Sequence, residues 1–307
     1  MTTTDAPPRL SAEARMADDA ANAPMDAEEL ARQRARRVEK IARWVLPALV
    51  LVAVLWLWDR TVTVNEIPHY VLPSPGRVAE ALGSRWESLF QSWLITLQIT
   101  LLALAVAVVG GVGLAVLFNQ SRWASLSIYP YAVILQVTPI VAIAPLIFIY
   151  VTPIDLWLFT ISDKIVGMLI CAWIVAFFPV LSNTTLGLNS ADHNLRDLFS
   201  IYGATRWQRL RYLQLPSALP YFLGGLRIAG GLSLIGAVVA EFVAGTGGVG
   251  SGLAFRILEA NYRLQIDVAF AALLMIAMTG VMIFAVLSGI SWLLLHKWHE
   301  SAIKREV

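Results

Sequence analysis

The chain has 307 residues, 58% of them hydrophobic and 14% charged, with a mean hydropathy of +0.67. Soluble domains carry about 25% charged residues, so an ordinary water-soluble globule is excluded and membrane residence is the first inference. The net charge of +2 says little, because the distribution of charge matters more than its sum, and nucleic acid is not an expected partner. A single cysteine, Cys171, lies in an apolar run; it excludes an intrachain disulfide and reads as a small buried hydrophobe.

In chain order, residues 1–25 are rich in Ala, Asp, Thr and Pro and read as a disordered tail. Their acidic residues, Asp5, Glu13, Asp18 and Asp19 among them, do not fit the short basic start of a secretory signal. Asp26 and Glu29 form a capping-box pattern opening a helix over 26–40, which carries Arg32, Arg34, Arg36, Arg37 and Lys40. A basic helix beside a membrane span fixes topology and can contact anionic head groups, which makes membrane lipid an expected partner.

Crossing a bilayer core takes about 20 apolar residues in helical form. Six segments meet that test: 41–58, 93–117, 128–151, 165–181, 219–243 and 266–295. They predict an all-α membrane protein with six transmembrane helices in one domain, 41–298, followed by a short tail, 299–307. Pro130, Pro139 and Pro145 interrupt the third segment, where kinks are expected. The stretch 154–159 is too short to span and is placed at the outer surface. Trp44, Trp56, Trp58, Trp93, Trp292 and Trp298 fall near span ends, as an interfacial belt would. Gly110, Gly111, Gly113, Gly224, Gly225, Gly230, Gly231 and Gly236 stud the second and fifth spans and read as sites of close helix packing.

Most of the Lys and Arg outside the spans falls in 1–40, 118–127, 182–218 and 296–307. The positive-inside rule therefore assigns both termini and the 182–218 loop to the cytoplasm. No midplane acid or histidine of the kind used in proton relays is present, so the energy source is expected outside this chain. Residues 245–252, GTGGVGSG, follow a membrane helix and lack the strand and Lys-Ser/Thr of a phosphate-binding loop. They read as a flexible turn near an outer gate, close to Glu241. His296 and His299 have no third ligand nearby and read as interfacial anchors, so no metal site is expected.

The predicted cytoplasmic loop, 189–218, is patterned rather than irregular. Leu195, Leu198, Phe199 and Tyr202 fall at i, i+3, i+4 and i+7, one face of a helix that Asn189, Ser190 or Asp192 could cap. Gly203 suits the left-handed turn that ends such a helix. Thr205 to Gln208 is a second capping box, opening a helix with Trp207 and Leu210 on one face. Pro216 and Pro220 are expected to stop that helix and restart the chain into the membrane, leaving Arg206, Arg209 and Arg211 exposed.

This loop resembles the cytoplasmic motif of permeases from ATP-binding-cassette (ABC) importers: Glu-Ala-Ala, three residues, Gly, nine residues, then Ile-x-Leu-Pro. Gly203 is followed by nine residues and then Leu213-Gln214-Leu215-Pro216, while Asp197-Leu198-Phe199 stands in place of Glu-Ala-Ala. Four further phrases, YVLPSPGRVAEAL (70–82), TPIVAIAPLIFIY (138–150), FFPVLSNTTLGL (177–188) and AEFVAGTGGVGSGL (240–253), are similar to permeases of the nitrate, sulfonate and taurine importer group. Together they cover roughly residues 65–295.

The resemblance implies the type I importer permease (MetI-like) fold, with two permease copies forming the pathway. It also implies two ATP-binding subunits, which would hold ATP and Mg while this chain has no cofactor or catalytic residue, and a periplasmic or extracellular solute-binding protein. Its ATPase-coupling residues would be Asp197, Leu198, Phe199, Gly203, Ala204, Thr205, Arg206, Leu213, Leu215 and Pro216. Polar groups available to the pathway are Gln136, Thr138, Asn183, Thr184, Ser233 and Glu241, a sparse set without an anion clamp. Relatives in this group carry nitrate, sulfonates, taurine, bicarbonate or pyrimidine and flavin precursors, and the lack of basic lining leans toward a neutral vitamin precursor. The alternative, a self-contained secondary carrier or channel, would need intramembrane acids or inverted repeats.

Overall fold

The computed structural model describes residues 27–156, 159–245 and 251–296. The expected tail 1–25, the cap Asp26, most of the GTGGVGSG turn, His299 and the tail 299–307 lie outside them. The chain divides between Asn65 and Glu66 into two units. The first contains α1 (Ala27–Val64), one unbroken 38-residue helix that joins the expected basic helix to the first span and accommodates Pro47. Its apolar part, Ile41–Val64, has a mean hydropathy of 2.0. Near its end the Arg60 guanidinium lies 5.8 Å from the Trp56 ring centroid.

The second unit is built from α2 (Pro75–Ser84), α3 (Trp86–Gln120), α4 (Arg122–Val137), α5 (Ile140–Tyr150), α6 (Asp163–Asn189), α7 (His193–Ile201), α8 (Arg206–Arg209), α9 (Leu215–Ala244), α10 (Leu253–Tyr262) and α11 (Ile266–Leu295). Among the described residues five helices are long and apolar enough to cross a membrane, or six when α4 and α5 count as one broken span. The break falls where a proline kink was expected in the third span, and is sharper than a kink. α4 and α5 meet at 105°, because Pro139 cannot donate and forces Thr138 before it into extended backbone, ψ 124°. The short stretch after α5 is a hairpin, β1 (Ile154–Leu156) with β2 (Phe159–Ile161), paired antiparallel from Ile154↔Ile161 to Leu156↔Phe159. It is the only sheet among the described residues.

The core of this unit is the seam of α6 with α9 and α3. Phe177, Val180, Leu181 and Leu188 of α6 pack there with Leu104 of α3 and Leu234 of α9. Water drives little of this contact inside a bilayer, so close approach of backbones has to supply it. A Cβ on Gly236 would lie 2.7 Å from Ala172 Cα, and one on Gly187 would lie 2.8 Å from Ala218 Cα. The packing expectation for the span glycines is met in part. Gly111, Gly225, Gly230 and Gly236 have no room for a side chain, whereas Gly113, Gly224 and Gly231 face open space.

Candidate functional site

Between α6 and α9 the chain forms a helix–turn–helix. Asp192 caps α7, its carboxylate accepting from Asn194 N–H at 2.8 Å and Leu195 N–H at 3.2 Å. The helix ends at Gly203, which takes the left-handed conformation with φ +66°. Ala204 N–H then donates back to Phe199 O at 2.9 Å. Thr205 and Gln208 form the reciprocal capping box: Gln208 N–H donates to Thr205 Oγ1 at 3.2 Å, and Thr205 N–H to Gln208 Oε1 at 2.8 Å.

The prolines do not stop the second helix. α8 runs through a π-helical segment, Leu210–Gln214, into α9, so Arg206–Ala244 is one continuous 39-residue rod. Pro216 lacks an N–H and crowds the carbonyl four residues back. The wider π turn just before it, closed by Leu215 N–H to Leu210 O, takes up that mismatch without breaking the axis. Pro216 and Pro220 therefore lie within the rod, and the helix–turn–helix is rigidly joined to the fifth apolar segment.

Arginines fasten the element to neighbouring helix ends. Arg206 donates to Gln120 O, the last residue of α3, at 3.4 Å, and Arg196 donates to Leu188 O near the end of α6 at 3.3 Å. Cations at helix C-termini complement the carbonyl ends. Arg206 and Arg211 are exposed as expected, but Arg209 is half-buried and donates to Ser200 Oγ at 3.1 Å. Leu210 and Leu213 are buried beneath the element. Apolar side chains cover its outer side: Ile201 is 81% exposed, Tyr202 80% and Trp207 64%. Leu198, Phe199, Gly203 and Ala204, four of the expected coupling residues, line one cavity of about 480 Å³ with Tyr202 and Tyr212. Asp197 lies on the exposed side of α7, 3.6 Å from His193. Thr205 caps the rod, and Leu215 and Pro216 lie within it.

The six expected pathway residues do not converge. Gln136 and Thr138 share a cavity of about 290 Å³ with Ile174, Val175, Pro179 and Leu232, at the break of the third span. The Thr138 hydroxyl donates to Ile134 O at 2.8 Å, while the exposed Gln136 amide has no hydrogen-bond partner among the described residues. Because Pro179 has no N–H, the Val175 carbonyl loses its helical donor at the wall of this cavity. Asn183 donates to Pro179 O at 2.8 Å. Thr184 is buried, without a partner for its hydroxyl, beside a separate apolar cavity of about 540 Å³. Ser233 is buried and donates to Gly230 O at 2.9 Å, and Glu241 is buried with Thr96 and the start of α10.

Sequence reasoning missed the partners of Glu241. Ser92, Thr96 and Thr100 are buried on α3; their i, i+4, i+8 spacing within an apolar span was the available signal. Among the described residues no cluster of three or more His, Cys, Asp or Glu could hold a metal. His296 stacks on Trp292 with ring centroids 4.6 Å apart, as an interfacial anchor would.

Comparison with known proteins agrees with this architecture. Residues 107–305 match the family described as binding-protein-dependent transport system inner membrane component. A probable ABC transporter permease protein of Haemophilus influenzae is 34% identical, over 82% of this chain and 96% of its own length. A riboflavin transport system permease of Chloroflexus aurantiacus is 34% identical over 86% of this chain and 96% of its own length. A formylaminopyrimidine transport permease of Halalkalibacterium halodurans is 32% identical, over 81% and 94%. Permeases named for aliphatic sulfonates, taurine and nitrate match at lower identity. A solved bacterial ABC transporter involved in import of the polysaccharide alginate shares the fold, with a TM-score of 0.56 at 17% identity over 83% of this chain and 98% of that one. The chain therefore belongs to the binding-protein-dependent transport system inner membrane components: it is a multi-pass ABC importer permease of the nitrate, sulfonate and taurine group, a transport component rather than an enzyme.

Proposed function

We propose that two copies of this chain form a solute pathway and that each is gripped, through its helix–turn–helix, by one ATP-hydrolysing subunit. The termini and the helix–turn–helix lie on the cytoplasmic side, a reading supported by the placement of Lys and Arg along the sequence. ATP and Mg bind to the partner, and a solute-binding protein delivers solute from the other side. Closure of the ATPase pair moves the helix–turn–helix, and the rod through α9 carries that movement into the bundle as a rigid-body shift. The observation that carries the proposal is the combination at 192–216 of an exposed aromatic face, rigid caps and unbroken continuity with a span. Exposed apolar patches of this kind mark protein interaction sites.

The solute is a small neutral compound of the pyrimidine or flavin class. The cavity at the broken third span supports this, since it combines the Gln136 amide and the Val175 carbonyl with apolar walls and has no charged lining side chain. Sulfonates, taurine and nitrate would call for a cationic clamp. The names of the riboflavin and formylaminopyrimidine relatives favour the same class.

The test pairs Gly203→Val with wild type in reconstituted vesicles, using riboflavin and formylaminopyrimidine as probe solutes. Valine at φ +66° is strained by about 1–3 kcal/mol. We expect the variant to hydrolyse ATP while losing most uptake of whichever probe the wild type carries. Unchanged uptake would contradict the coupling role of the loop. Uptake of neither probe by wild type, with taurine or nitrate carried instead, would contradict the solute class alone.

A further inference from the structure

At the end of α9 remote from the helix–turn–helix, Glu241 is 2% exposed and faces the hydroxyl ladder of α3. Thr96 Oγ1 donates to Glu241 Oε1 at 2.7 Å and accepts from Leu253 N–H at 2.9 Å. The other carboxyl oxygen, Oε2, accepts from Ala254 N–H at 2.9 Å. The first two amides of α10, which no carbonyl inside that helix can satisfy, are thus met by side chains of two different spans. Arg256 of α10 adds a second tie, donating to Ser92 Oγ at 2.9 Å. Gly252 completes the fit, since a Cβ there would fall on the Glu241 carboxyl group.

We infer that Glu241 and Thr96 form a latch that makes α10 a rigid follower of α3 and α9. When those spans move in the transport cycle, α10 moves with them and opens or closes the end of the bundle opposite the ATPase. Glu241 is thereby a positioning residue: it acts on the solute path through α10 and has no need to touch solute. The chemistry of the site is specific. An alanine at 241 removes both acceptor oxygens, so the Ala254 N–H loses its partner and the Thr96 hydroxyl is left with Ser92 O at 3.3 Å.

The inference rests on the alternating movement proposed above, and the experiment separates the two. Cys171, the single cysteine, is fully buried, so Tyr262→Cys, at the 86% exposed end of α10, supplies one reactive thiol. Maleimide labelling is measured on the complete transporter in nanodiscs, nucleotide-free and after trapping with ATP, Mg and vanadate. In the parent we expect one state to label about tenfold more slowly, as a thiol carried to a covered position by the moving helix would. In Glu241→Ala and Thr96→Val both states label at the faster rate, while Thr96→Ser, which keeps the hydroxyl, retains the difference. A role confined to fold stability would shift both rates together and leave their ratio intact. An intact ratio in Glu241→Ala and Thr96→Val overturns the latch alone, and if Glu241→Ala fails to assemble the comparison of Thr96→Val with Thr96→Ser decides the case. No nucleotide response in the parent overturns both the latch and the alternating movement beneath it.

Discussion

At one end of α9 the chain exposes aromatic side chains on helices whose caps come from residues two to three positions away. At the other end it buries hydroxyls and a carboxyl group whose partners are 145 and 157 positions away. The same rod joins the two ends. Short-range caps let the helix–turn–helix hold its shape while its outer surface stays free for a partner. Long-range hydrogen bonds at the far end leave nothing free and instead fix three helices to one another. The proposed docking surface and the proposed junction thus make opposite uses of polar groups.

Substitutions can break this contrast at several strengths. The largest effect is expected for Gly236→Val, which forces a side chain into the Ala172 backbone and separates α6 from α9. Overpacking of this kind costs about 1–3 kcal/mol and more where backbone is struck. Both ends should fail together, read as loss of assembled protein in size-exclusion chromatography. Gly252→Ala comes next, at about 1–3 kcal/mol, and should disturb only the α10 junction. Removing the Glu241 side chain in the same molecule should recover part of the loss, seen as a rise in thermal midpoint over the single variant. The smallest is Asp192→Ala, about 1 kcal/mol for a lost helix cap. Faster amide exchange should appear in α7 and not in α10.

The same contrast explains how much could be read from the sequence. The turn at Gly203 and the capping box Thr205–Gln208 are local signals, and the structure places both where the spacing predicted; of the three candidate caps for α7 it selects Asp192. The spans other than the third were legible from their length and hydropathy. One local expectation failed for a local reason: Pro216 is absorbed by a π turn rather than ending a helix. The interruption of the third span at Thr138-Pro139 was legible from its prolines, but its 105° angle was not. Glu241 stood out as an acid near a span end. Its partners on α3 and α10 did not, because hydrogen bonds between distant segments leave no periodicity that relates one to the other. The cavity joining Gln136 to Val175 was hidden for the same reason, since it needs the bend of α4 on α5 as well as α6 and α9.

Two tyrosines, one at each end, give the most direct test of the central claim that the helix–turn–helix is the ATPase docking site. Tyr202 is 80% exposed and Tyr262 86% exposed, and each can be replaced by cysteine in a chain whose own thiol is buried. Maleimide labelling would be compared with and without the ATPase subunit bound in the absence of nucleotide. The account predicts that Tyr202→Cys becomes protected by at least about tenfold, as expected for a residue in the desolvated centre of an interface, while Tyr262→Cys labels at an unchanged rate. Equal labelling of Tyr202→Cys with and without a bound ATPase would contradict it.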